Sequence, residues 1–213
     1  MKYPDSRLLV FSKAPDPGRV KTRLIPVLGR EGSASLYSAL LQDCLQRCTT
    51  AGLCPVELWC SPSVEHPFFQ QCGKRFGVAL RQQCGGDLGR RMAHALDATG
   101  TGTEAAVLIG ADCPAMETED IEAAFTALVQ GTPVVLGPAT DGGYYLVGMR
   151  DLQRCIFEDM PWSTPAVLDI TRSRLQRRGI AWHCLPVRRD LDTPADYASY
   201  VSQAAAIRHS TER

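Results

Sequence analysis

The sequence carries no net charge: 23 lysines and arginines offset 23 aspartates and glutamates over 213 residues. Nucleic acid or an anionic membrane would meet no global attractive field, so any anion site must be local. No apolar run approaches the length needed to span a bilayer, and Met1-Lys2-Tyr3-Pro4-Asp5 opens no signal-peptide hydrophobic region. The expectation is a soluble, cytoplasmic protein that binds neither nucleic acid nor membrane. Nine cysteines (44, 48, 54, 60, 72, 84, 113, 155 and 184) form no C-x-x-C and no paired zinc spacing. Several lie in apolar patterns such as Leu58-Trp59-Cys60 and read as reduced core thiols acting as small hydrophobes. There is no G-x-x-x-x-G-K-[ST] phosphate loop: Lys21-Thr22 imitates its end, but Gly18 lies three residues back. No G-x-G-x-x-G follows the first apolar run, which argues against nicotinamide or flavin binding. The four histidines (66, 94, 183 and 209) are scattered without ligand spacing. Repeats, low-complexity segments and linkers are also missing, so residues 1–213 read as one domain, with a peripheral helix or fraying tail from about residue 201.

What the chain does have is alternation. Apolar or β-branched runs predict strands over 7–12, 56–61, 78–82, 105–110, 133–138, 144–149 and 180–185. Between them, Leu36, Leu40, Cys44 and Cys48, with Tyr37, Leu41 and Leu45 beside them, outline one wide apolar helix face. Further helices are predicted over 87–98 and 117–129, the second opening on four carboxylates where the helix dipole favours them. Thr164-Pro165 and Thr193-Pro194 each place a capping residue before a proline suited to the first helical position. This order implies an α/β layered fold with a mainly parallel sheet. The runs at 134–136 and 145–147 flank Asp141-Gly142-Gly143 without room for a helix, so an antiparallel hairpin there makes the sheet mixed.

The candidate chemistry begins after the first strand. Between Lys13 and Arg23 there are four cations against one aspartate, in a loop stiffened by Pro15 and Pro17 and relieved by Gly18. If this segment is extended, Arg19, Lys21 and Arg23 project from one side and could hold phosphate. Asp112 follows the run Ala106–Ala111 and suits a hard cation such as Mg²⁺ or Mn²⁺, which shares oxygen ligands with phosphates; it could equally cap the next turn. Asp141 with Gly142 and Gly143 suits either a hairpin turn or close approach to a ligand. Asp190 and Asp192 share a face if extended and could complete a metal site with Asp112, or form the acidic start of a capped helix. Gln83-Cys84-Gly85-Gly86-Asp87 is a glycine-rich entry to a helix whose first amides could meet a phosphate or a nucleobase oxygen.

Five motifs in order resemble a bacterial glycosyltransferase-like family long labelled a domain of unknown function: Phe11–Pro15 with Gly18–Leu24, Gly86–Met92, Ile109–Pro114, Gly137–Gly148 and Asp190–Asp196. That family is similar to 2-phospho-L-lactate guanylyltransferase and the molybdenum-cofactor guanylyltransferases. The resemblance implies a GT-A, nucleotide-diphospho-sugar transferase-like fold with a mixed, mainly parallel sheet. It also implies a transferase that uses a nucleotide or nucleotide sugar, a small-molecule acceptor and Mg²⁺ or Mn²⁺. Carried over, Ser12, Lys13, Gly18, Arg19, Lys21 and Arg23 hold the nucleotide phosphates, with Lys21 and Asp112 catalytic. Asp87 lies on the nucleotide side, Asp141, Gly142 and Gly143 on the substrate side, and Asp112 with Asp192 or Asp190 holds the metal. Many glycosyltransferases carry Asp-x-Asp at the metal strand, whereas Ala111-Asp112-Cys113-Pro114 offers one carboxylate. That departure favours nucleotidyl transfer slightly over glycosyl transfer. A nucleotide-binding module without transferase activity is the further alternative.

Overall fold

The computed structural model describes residues 1–100 and 102–211, with side chains described up to residue 203. Its centre is one sheet of β1 (Arg7–Lys13), β2 (Val56–Ser61), β3 (Ala79–Gln82), β4 (Ala106–Gly110), β5 (Val134–Pro138), β6 (Tyr144–Met149) and β7 (Trp182–Cys184). The strand order is β3-β2-β1-β4-β6-β5-β7. Strand β6 runs antiparallel to both neighbours and every other pairing is parallel, so the sheet is mixed and the 134–149 reversal is the expected hairpin.

The helices are α1 (Ile25–Ala51), α2 (Pro67–Phe76), α3 (Leu88–Asp97), α4 (Thr118–Val129), α5 (Val167–Arg177) and α6 (Pro194–Thr211). Alternate side chains of β1 show how they are layered. Leu8 and Val10 pack with Leu41 and Leu45 of α1, Phe69 of α2 and Phe125 of α4. Leu9 and Phe11 pack on the opposite side with Met92 and Leu96 of α3 and Leu168 of α5. A strand buried on both faces must be apolar throughout, which is why these strands read as continuous runs. Among the described residues no helix is long and apolar enough to cross a membrane.

Three local expectations are corrected. The segment 19–23 is not extended: Lys21 is left-handed (φ 45°, ψ 42°), and Thr22–Leu24 form one 3₁₀ turn. Burial decides this, because Val20 packs on Ala34 and Tyr37 while Leu24 packs on Leu40 and Leu191, which a straight strand could not reach together. Thr164-Pro165 stops short of α5, which begins at Val167; Thr164 donates its hydroxyl to the Pro161 carbonyl within the preceding turn. Helix α2 was not anticipated; His66 caps it by accepting the Phe68 N–H on Nδ1. Thr193-Pro194 does start α6, with the Asp196 carboxylate accepting the Thr193 N–H at 2.8 Å and its hydroxyl at 2.7 Å. The tail expected to be peripheral from about residue 201 continues α6 as far as Thr211, and Glu212 and Arg213 lie outside the described residues.

Candidate active site

Strands β1 and β4 are parallel neighbours from which the chain departs in opposite directions, to β2 on one side and toward β5 and β6 on the other. Beyond their carboxyl ends, where open α/β sheets characteristically take ligands, lies a cavity of about 490 Å³. The end of β1 supplies Ser12 and Lys13 to its wall and the loop after it Arg19, Lys21 and Arg23; the turn after β4 supplies Asp112, and the segment before α6 supplies Asp192.

The electrostatic centre is Lys21. Its side chain is only 3 % exposed, and Nζ donates to Asp112 Oδ2 at 3.1 Å with Asp192 Oδ1 at 3.7 Å. A charge this deep is tolerated because two carboxylates offset its lost hydration. Both remain partly open, at 44 % and 41 % exposure. Asp192 also binds Arg23 at 2.6 Å. Its position follows from Leu191, whose N–H donates to the Asp112 carbonyl at 3.1 Å and whose side chain is buried beside Leu24. The structure thus brings Lys21, Arg23, Asp112 and Asp192 together from three distant parts of the chain. Lys21 and Arg23 do not project freely as a cationic comb.

Tyr37 of α1 was read in the sequence only as part of an apolar face. Its hydroxyl accepts the Lys13 N–H at 3.0 Å and hydrogen-bonds the Ser12 hydroxyl at 3.0 Å, fixing the end of β1. Burial, then the Asp112 charge, pushes its pKa up to about 12, so it acts as a neutral hydroxyl. Gln83, at the edge of the same cavity, was likewise noted only as part of a glycine-rich entry.

Other candidates stand apart. Gly18 turns the loop at φ +81° and does not line the cavity. Asp190 does not line it either; it faces a smaller cavity with Pro114, Arg189 and Tyr200, so it and Asp192 do not share a face. Among the described residues Asp190 Oδ1 has no hydrogen-bond partner where it is buried, and its pKa rises to about 7, first from burial and then from the charges of Asp112 and Asp141. Asp87 caps α3, accepting the Arg90 N–H at 2.8 Å, and faces a neighbouring cavity with His94 and Trp162. Asp141 accepts the Gly143 N–H at 2.8 Å within the β5–β6 turn. Gly142 has φ +89°, and a Cβ there would lie 2.2 Å from the Pro165 carbonyl oxygen. This turn therefore docks on the segment before α5, while Tyr144 and Tyr145 beyond it reach the cavity. Cys113 is buried and donates to the Arg189 carbonyl; burial, then Asp190, raises its thiol pKa, which makes it a structural thiol. Among the described residues no group of three or more His, Cys, Asp or Glu is arranged to hold a metal.

This architecture is the fold of the nucleotide-diphospho-sugar transferases. A protein from Desulfovibrio desulfuricans G20, provisionally called a nucleotide-diphospho-sugar transferase, is 32% identical, with 89% of this chain and 83% of that chain covered and a TM-score of 0.81. A nucleotidyl transferase from Methanothermobacter thermautotroptrophicus shares the fold at 14% identity and TM-score 0.63, covering 92% of this chain and 95% of that one. Glucosyl-3-phosphoglycerate synthase from Mycobacterium tuberculosis, in complex with Mn²⁺, UDP and glucosyl-3-phosphoglycerate, shares it at 12% identity and TM-score 0.54, covering 93% and 76%. No curated protein matches the chain. The chain belongs to the bacterial family described as "Uncharacterized protein conserved in bacteria (DUF2064)", whose model matches residues 44–164.

Proposed function

We propose that this chain is a single-domain, divalent-metal-dependent transferase that takes a nucleoside triphosphate and passes its nucleotidyl group to a small-molecule acceptor. The observation that carries this reading is the buried Lys21 ammonium between Asp112 and Asp192, at the strand ends where the fold takes ligands. In nucleotidyl transfer an acceptor oxygen attacks the α-phosphorus, the bond to the bridging oxygen breaks, and pyrophosphate departs with the electron pair. Lys21, with Arg19 and Lys13 on the same wall, is positioned to offset the charge that develops on that leaving group. Such chemistry rests on orientation and electrostatics, and needs no protein nucleophile.

The donor set suits Mg²⁺ or Mn²⁺: two partly open carboxylates, Asp112 and Asp192, leave the remaining oxygen positions to phosphate and water. When bound, the ion would polarise phosphoryl oxygens and orient them. Asp190 is left out of this set by its separate cavity. The alternative is glycosyl transfer from a nucleotide sugar, favoured by the structural neighbour that holds UDP and Mn²⁺. The nine free thiols suit a reducing, cytoplasmic setting.

The test is a thermal-shift panel of nucleoside triphosphates and nucleotide sugars with Mg²⁺ or Mn²⁺, followed by product analysis with candidate acceptors. Ligand at 100 times its Kd should add about 2.7 kcal/mol. Pyrophosphate release supports nucleotidyl transfer; nucleoside diphosphate release supports the alternative. Asp112→Ala should abolish turnover while circular dichroism stays unchanged, and substantial residual metal-dependent turnover would refute the assignment.

A further inference from the structure

Main-chain groups alternate sides along β1. The Arg7 N–H donates on the β4 side, to the Ala105 carbonyl, and the Leu8 N–H on the β2 side, to the Pro55 carbonyl, both at 3.0 Å. The odd residues therefore pair with β4, and that pairing ends at Phe11 opposite Gly110. Lys13 is the next residue to face that side, and β4 offers it no partner. Two side chains stand in for the missing strand. The Lys13 N–H donates to the Tyr37 hydroxyl oxygen at 3.0 Å, and the Lys13 carbonyl accepts the Ser12 hydroxyl at 3.0 Å. The Ser12 and Tyr37 hydroxyl oxygens are themselves 3.0 Å apart, which closes a ring.

Every hydrogen in this ring can be assigned. A carbonyl oxygen only accepts, so the single Ser12 hydroxyl hydrogen lies toward the Lys13 carbonyl. The Ser12–Tyr37 bond then uses the Tyr37 hydrogen, while the Tyr37 oxygen accepts from Lys13. Neither hydroxyl has a hydrogen left for a ligand. Ser12 and Tyr37 line the cavity, yet while the ring is closed they cannot donate to phosphate. The Lys13 side chain can. It is exposed, lines the same cavity and has no carboxylate partner among the described residues, whereas Lys21 and Arg23 are both paired. A flexible stem delivers its ammonium only as well as its base is fixed, and the ring fixes that base at both the N–H and the carbonyl.

We propose that Tyr37 is a positioning residue that acts through Lys13, holding the lysine backbone so that its ammonium meets a phosphate, and that Ser12 belongs to the same ring and is not a phosphate ligand. This role rests on the nucleotide reading of the cavity. It divides the wall into a group that touches phosphate and the groups that hold it in place. Without the Tyr37 hydroxyl the Lys13 N–H loses its acceptor and Ser12 loses a donor, so the end of β1 is freed on the side where β4 has already stopped.

The experiment is a mutant cycle read by isothermal titration with inorganic tripolyphosphate and Mg²⁺, so that neither acceptor nor turnover is involved. Lys13→Met should weaken binding about tenfold, and Tyr37→Phe and Ser12→Ala about fivefold each. In the Lys13→Met background each of those two changes should cost less than about twofold, because the group they position is gone. Equal losses in the two backgrounds would make Tyr37 purely structural. Unchanged affinity in Lys13→Met, or in Tyr37→Phe, would leave it nothing to position. Any of these results overturns the assignment while tripolyphosphate binding stands. A Ser12→Ala loss that persists without Lys13 would make Ser12 a phosphate ligand and overturn its place in the ring. If wild type does not bind tripolyphosphate, the phosphate reading of the cavity and the role of Tyr37 fail together. Should Tyr37→Phe not fold, Ser12→Ala opens the same ring with Tyr37 in place and carries the cycle.

Discussion

Asp190→Asn should stabilise the protein, and more so as the pH rises. Asp190 Oδ1 is buried with no partner among the described residues, and the pKa of the carboxyl is raised to about 7 because burial, then the charges of Asp112 and Asp141, oppose ionisation. In the unfolded chain the same group titrates near 3.9. Folding therefore favours the protonated form: the favourable contribution is complete below about pH 4 and is lost progressively as pH rises to about 7. About three pH units at 1.36 kcal/mol each give roughly 4 kcal/mol across that window. Asparagine keeps the shape and cannot ionise. Urea denaturation of both proteins in EDTA should show the variant ahead by about 1–2 kcal/mol at pH 5 and about 4 kcal/mol at pH 8. Every other titrating group is common to the two proteins, so the widening gap reports Asp190. Parallel pH profiles would refute the reasoning.

Gly142→Ala should cost at least about 3 kcal/mol in urea titration, because the backbone sits at φ +89° and the new methyl meets the Pro165 carbonyl. Arg188→Met should lower stability by about 3 kcal/mol, since Asp120, 4 % exposed, loses a bidentate partner at 2.9 and 3.0 Å. Asp120→Asn in the Arg188→Met background should recover part of that loss.

The strands were legible because burial on both faces leaves a continuous apolar run, and the 134–149 reversal because no helix fits between its halves. Helix α2 was not: it is only ten residues long, and its buried side chains, Phe69 and Cys72, form a single pair at helical spacing. Val20, Thr22 and Leu24 alternate like a strand, yet the same spacing serves a helical turn that sends Val20 and Leu24 into two different clusters. Asp112 was legible from the strand that stops just before it. The pairing of Arg23 with Asp192 was not, because it spans 169 residues and leaves no local pattern. Tyr37 and Gln83 were obscured by their surroundings. An apolar helix stripe hid the hydroxyl, and a glycine-rich loop drew attention to backbone amides instead of the neighbouring side chain.

The charges that tertiary structure assembles change what the cationic loop can do. Sequence shows four cations against one aspartate there, a strongly positive patch. In the cavity, Lys13, Arg19, Lys21 and Arg23 are joined by Asp112 and Asp192, so these four cations and two carboxylates leave a formal net charge of +2. A nucleoside triphosphate carries about −4. On the proposed function, the protein alone would leave about two negative charges uncompensated, and one divalent cation would supply the difference. The proposal then requires the nucleotide to enter as its metal complex. Removing Mg²⁺ and Mn²⁺ with EDTA should reduce triphosphate affinity by at least tenfold, about 1.4 kcal/mol, in isothermal titration. In the Asp112→Asn, Asp192→Asn double variant the cavity sums to +4. Metal-free triphosphate should then bind more tightly than it does to wild type, and the EDTA effect should shrink. If that variant binds metal-free triphosphate no better than wild type, charge balance is not what couples the metal to the nucleotide.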